Sequence, residues 1–71
     1  MKAFENNIKK IFGARVRALQ TEKGWSQEDF AFECGLHRTY IGAVERGERC
    51  ISLYNIKKIA NIFRIDIAKL F

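Results

Sequence analysis

Between Arg38 and Gly47 the chain reads RTYIGAVERG, and the residues able to do chemistry there are two arginines and a threonine hydroxyl set among very small side chains. Wound as a helix at about 100° per residue, Arg38, Thr39, Gly42, Ala43 and Arg46 fall within roughly 140° on one side. Ile41 and Val44 fall opposite, where they can face a core. The polar face is therefore narrow, basic at both ends and nearly bare in the middle. A helix of that shape can lie deep in a DNA major groove, which is just wide enough to admit one. A bulky middle would hold it off.

Something must hold such a helix out, and the preceding residues suit the task. If Gln27 opens a two-helix unit ending near Arg46, then Phe30, Ala31, Cys34, Gly35, Leu36, Ile41 and Val44 occupy the places where a helix-turn-helix needs small or apolar side chains. Ala31 lies where the two helices approach, and a larger residue would force them apart. Gly35 opens the turn, where positive φ suits glycine. The rest seal both helices onto what flanks them.

Those flanks read as helices too. From about Glu5 to Lys23 the residues Ile8, Phe12, Val16 and Leu19 draw one apolar stripe, with Lys23 a cationic last turn and Gly24 a left-handed stop. Ser26 is placed to cap the second helix, and Glu28 and Asp29 complement its positive end. Asp29 stands where Glu would complete a capping box, and its shorter arm predicts an imperfect one. The third helix begins near His37 and ends at Gly47. The fourth opens on Ser52 and carries Leu53, Ile56, Ile59, Ala60 and Phe63 on one side; Asp66 then caps a last short helix, IAKLF. The expected fold is an all-α bundle of five helices.

The totals agree with one small domain. Seventy-one residues bury only about 60% of their unfolded surface, so the margin of stability is thin. Apolar residues make up 48% of the chain and proline is absent, which suits a packed helical domain rather than a disordered tail. The net charge of +5 favours an anionic partner, nucleic acid or membrane surface. Cys34 and Cys50 make no disulfide framework, and with the single His37 they cannot assemble a zinc quartet. No positioned nucleophile and base or carboxylate cluster suggests catalysis, so neither a catalytic nor a metal site is expected, and no cofactor. The N-terminus MKAFENNIKK has no apolar core segment, and no apolar run approaches the roughly 20 residues of a membrane span. The expectation is a cytoplasmic protein without a membrane partner or a small-molecule effector.

The residues GARVRAL (13–19), KGWSQEDFA (23–31), Gly35-Leu36 and Val44-Glu45-Arg46-Gly47 resemble the lambda-repressor-like helix-turn-helix family of phage and bacterial regulators. Within it, LHRTYIGAVERGERCISL (36–53) is most similar to the controller proteins of restriction–modification systems. The resemblance runs from about Lys10 to Phe71 and implies a stand-alone DNA-binding domain. It places Arg38, Thr39 and Ala43 at base-reading positions. Arg38 would grip the O6 and N7 of a guanine, Thr39 would donate to a base or touch a thymine methyl, and Ala43 would offer a methyl contact. Gln27 resembles the family's phosphate-binding glutamine, and Arg17, Tyr40, Arg46 and Arg49 are candidates for phosphate contact. The apolar cluster Ile62, Phe63, Ile65, Ile67, Leu70 and Phe71 exceeds what one small core needs, and the resemblance implies a two-fold homodimer through it. Such a dimer would set its reading helices about one DNA turn, near 34 Å, apart on palindromic sites.

Three positions depart from the family pattern. Gln20 replaces the usual arginine partner of Glu45, leaving Glu45 to a neutral hydrogen bond or to Arg15 or Arg17. Gly42 replaces a frequent serine and weakens its helix by roughly 1 kcal/mol. Cys50 replaces a common asparagine in the turn before the fourth helix. His37 reads as a substitute N-cap or a surface residue, Trp25 as a staple over the second helix or a ring near the DNA backbone, and Tyr40 as packing with a hydroxyl free to reach phosphate. A controller would govern an endonuclease gene and its own promoter, activating at one site occupancy and repressing at higher occupancy. A prophage or antitoxin-type repressor is the nearest alternative, followed by a protein-binding adaptor on the same fold.

Overall fold

A computed structural model describes the backbone from Lys2 to Phe71 and the side chains from Asn7 onward. Four α-helices follow in chain order: α1 (Lys2–Glu22), α2 (Gln27–Cys34), α3 (Arg38–Glu45) and α4 (Leu53–Phe63), before a single 3-10 turn at Ile67–Leu70. The expected fifth helix is that turn. The segment closes instead with the tighter bond from the Lys69 N–H to the Asp66 carbonyl at 2.9 Å, and the Asp66 side chain makes no capping bond.

Local chemistry fixes where most helices start and stop. Ser26 Oγ accepts from the Asp29 N–H at 3.0 Å and Asp29 Oδ2 accepts from the Ser26 N–H at 3.2 Å, so the capping box closes despite the short aspartate arm. Ser52 caps α4 by accepting from the Asn55 N–H at 3.1 Å. His37 stands at the N-cap of α3 but contributes no side-chain bond there and is exposed. Gly35 ends α2 at φ +67, and the Leu36 N–H then reaches back to the Ala31 carbonyl at 3.0 Å. The same left-handed conformation ends α4, where it is held by Arg64 at φ +58 instead of a glycine.

The core gathers the inward stripe of every helix. Val16, Phe30, Ile41, Val44, Ile59 and Leu70 are fully buried. Trp25 does staple α2, lying 6.1 Å from the Phe30 ring and 6.0 Å from that of Phe63. Leu53, expected on the inward side of α4, instead sits in its first turn with 83% of its surface exposed. Where α1 crosses α3 the backbones nearly touch: a Cβ on Gly13 would collide with the Val44 carbonyl oxygen and lie 2.7 Å from that of Glu45. That close approach seats α3 on α1.

The C-terminal cluster divides three ways. Phe63 and Leu70 are buried in this chain's own core and cannot belong to a dimer surface, correcting that expectation. Ile62 and Ile65 are half-buried and line polar depressions beside Arg64. Only Ile67 (38%) and Phe71 (52%) remain substantially exposed. The reason is topological: Leu70 must plug the end of the bundle, and a tight turn then alternates which neighbours are turned out.

Candidate nucleic-acid interface

The first turn of α3 presents Arg38 and Thr39 to solvent, while Ile41 and Val44 pin the opposite side into the core. Between them lies a floor made by Gly42. A Cβ there would come within 3.1 Å of an Arg46 guanidinium nitrogen and 3.4 Å of Gln27 Oε1. Gln27, Gly42 and Arg46 thus form one contiguous strip, with half-buried Ala43 following Gly42 on the same helix. Gly42 itself is buried under these two side chains, so the middle that the sequence reads as bare is covered by Arg46 and Gln27.

Beneath the strip, Glu45 ties three helices together. Its side chain is 1% exposed. Gln27 Nε2 donates to its Oε1 at 3.0 Å from the start of α2, and Arg17 Nη1 approaches the same oxygen at 3.8 Å from α1. Of the partners open to Glu45, Arg17 is the one taken, together with the neutral bond from Gln27. Gln20 turns elsewhere, donating to the Trp25 carbonyl at 3.2 Å. That leaves Gln20 Oε1 and Glu45 Oε2 buried without a hydrogen-bond partner. Burial pushes the Glu45 carboxyl above its ordinary value, against the lowering effects of the Gln27 bond and the Arg17 charge.

The remaining candidates sit around this brace, each with a partner the sequence reading did not name. Arg38 Nη1 lies 3.3 Å from Glu28 Oε1, both side chains being largely exposed, so the pair is weak and exchangeable. Arg46 Nε donates to Glu48 Oε2 at 2.9 Å, which lowers the pKa of Glu48 and raises that of Arg46. Asn55 Nδ2 donates to the Tyr40 hydroxyl at 3.2 Å, leaving the phenolic proton available for an outside acceptor. The Arg49 guanidinium stacks 5.1 Å from the Tyr40 ring centre. Glu28 carried a signal in the sequence, as an acidic residue in the first turn of the preceding helix. Asn55 carried none, because only the packing of α4 brings it to Tyr40.

Residues 16–70 match the profile of the helix-turn-helix family. The chain belongs to that family. This helix-turn-helix protein is 55% identical over 62 residues to the control protein C.BamHI of Bacillus amyloliquefaciens, across 86% of this chain and 76% of that one. The crystal structure of the restriction–modification controller protein C.AhdI from Aeromonas hydrophila superposes with a TM-score of 0.86 at 49% identity, covering 92% of this chain and 98% of the other. The nucleoprotein complex of C.Esp1396I contains a 27% identical chain with a TM-score of 0.76, over 89% of this chain and 82% of that one. The resemblance to restriction–modification controllers drawn from residues 36–53 is thereby borne out. No helix among the described residues is long and apolar enough to cross a membrane.

Proposed function

We propose that this chain is a sequence-specific DNA-binding transcription regulator of the restriction–modification control kind, acting as a homodimer on palindromic operators, with residues 1–71 forming one DNA-binding unit. The observation that carries the reading is the buried Glu45 brace. It fixes α2 against α3 and α1 so that a narrow, arginine-ended strip stands clear of the body.

On this reading Arg38 forks onto a guanine, exchanging Glu28 for O6 and N7, while Thr39 and Ala43 meet the neighbouring base edges. Gln27, Arg17, Tyr40, Arg46 and Arg49 hold phosphates and set the register. Gln27 does so from a side chain already oriented by Glu45. The dimer seam runs through Ile67 and Phe71, the exposed pair of the C-terminal cluster. Phe71 also closes an apolar groove of about 190 Å³ with Ile8, Ile51 and Ile56.

Selection of bound fragments from random DNA tests the reading. The expected outcome is a palindromic consensus with half-sites one helical turn apart, and a dimer in sedimentation at micromolar concentration. Recovery of unenriched sequence would remove the specificity claim. A strictly monomeric species would remove the seam.

A further inference from the structure

Arg17, Arg38 and Arg46 each have a carboxylate partner, but another group of cations does not. Arg15 on α1, Arg64 at the end of α4 and Lys69 in the 3-10 turn surround a concavity of about 500 Å³. Among the described residues, no carboxylate lies within 4.0 Å of any of the three. Asp66 is on the rim but pairs with none of them. The floor is Ala60 and Ile65, with the Asn61 amide beside them.

Two features show that the concavity is held in shape. Arg15 Nε donates to the Lys69 carbonyl at 2.9 Å, which ties the 3-10 turn to α1 and fixes the guanidinium at the rim with its outer nitrogens free. Arg64 sits at φ +58, the single non-glycine residue with positive φ among the described residues. For an L-residue that conformation is strained, and a glycine would adopt it freely. The turn therefore carries a long cation at the one place where the backbone would be more stable without a side chain.

We infer that this cleft is a docking site for an acidic segment of another protein, one whose Asp and Glu side chains flank an apolar residue. Charge complementarity commits it to an anionic partner: three unpaired cations against one carboxylate leave the rim positive, and unpaired charge attracts at a range that paired charge does not. The shape selects protein over duplex. No residue of α2 or α3 lines the cleft. Arg15 also stands about 200° around α1 from Arg17, so a duplex lying on α3 leaves the cleft exposed. The concavity suits one strand or helical turn of peptide, with half-buried Ile65 meeting the apolar side chain. Asn61 has a donor and an acceptor for its main chain. The inference goes beyond DNA recognition and its test contains no operator, so either idea can fail alone.

The test is a backbone-amide NMR titration of the full chain at low ionic strength with the synthetic peptide acetyl-EELEDLEEDL-amide. The counterpart acetyl-KKLKKLKKKL-amide and a random-sequence DNA duplex serve as comparisons. The expected result is saturable shifts from the acidic peptide at Arg15, Asn61, Arg64, Ile65 and Lys69, and none there from the lysine peptide or the duplex. Arg64→Gly, which relieves the strained φ and keeps the fold, weakens the peptide about threefold, and Arg64→Glu about tenfold, the size of one or two exposed ion pairs. Shifts spread over Arg38 and Arg46, cleft shifts produced by the duplex, or an affinity unmoved by Arg64→Glu would each overturn the proposal.

Discussion

The α3 strip and the C-terminal cleft are both basic, yet their charges are arranged in opposite ways. On the strip, Arg17, Arg38 and Arg46 each have a carboxylate at 3.8, 3.3 and 2.9 Å respectively, and Arg49 lies over a tyrosine ring. In the cleft, Arg15, Arg64 and Lys69 have none among the described residues. Paired arginines are aimed but partly neutralised. They attract any polyanion less and favour a target that can replace the carboxylate with better-placed acceptors, which suits reading over mere adhesion. Unpaired cations on a fixed rim act at longer range and discriminate by charge and fit. Net charge alone, +5 for the whole chain, says nothing of this division.

The largest expected effect separates the two regions mechanically. Gly13→Ala gains about 1 kcal/mol of helix propensity. It also drives a Cβ into the Val44 and Glu45 carbonyls, which cannot rotate away. Overpacking costs about 1–3 kcal/mol and more against backbone, so a net loss near 2 kcal/mol is expected, roughly 10 °C in Tm. Thermal unfolding measures that. Amide exchange should quicken in α3 more than around Arg64, and uniform acceleration would mean the two regions open as one.

Next in size, Arg38→Ala should cost about 1–3 kcal/mol on the selected operator and little on random DNA, because a bidentate base contact carries sequence discrimination. Competition binding with both DNAs measures the ratio. An equal loss on each would make Arg38 a phosphate contact and the strip less of a reader than its geometry suggests.

Arg64→Gly should raise stability by about 1 kcal/mol through release of the left-handed residue. Operator affinity should not change, since Arg64 lies in the cleft. A fall in Tm would show that the arginine side chain contributes more packing than the backbone loses in strain.

The smallest effect concerns pH. A carboxyl whose folded-state pKa lies above its unfolded value binds its proton more tightly when folded. Its contribution to stability is therefore fully present below the unfolded value and is lost as pH rises through the raised one. Glu45 should make urea midpoints decline over that window just above the ordinary carboxylate range. Glu45→Gln should flatten the decline, since an amide does not titrate in this range. An unchanged slope would assign the pH dependence to other groups.

Much of the α3 strip was legible in the sequence because its determinants are local. The angular spread of Arg38, Thr39, Gly42, Ala43 and Arg46 follows from helix periodicity, and Ser26, Gly35 and Ser52 set their caps through bonds to residues within a few positions. The controller resemblance added the family. The partners of the strip were less legible. Glu45 meets Gln27 across 18 residues and Tyr40 meets Asn55 across 15, pairings that depend on how whole helices cross. The C-terminal apolar cluster was the weakest reading, since periodicity gives a side chain's direction along its own helix but not which neighbour stands there.

By itself the sequence determined the four α-helices, the caps at Ser26, Gly35 and Ser52, most of the inward stripes and the basic face of α3, because each is set by interactions within a turn or two of backbone. Only the tertiary structure decided that α3 is seated by the bare backbone of Gly13, that Gln20 turns away from Glu45, and that Phe63 and Leu70 belong to the core. It alone also gathered Arg15, Arg64 and Lys69 around one cleft. Those outcomes depend on the distance between surfaces remote in the chain, which the packing of the whole bundle fixes and no local pattern encodes.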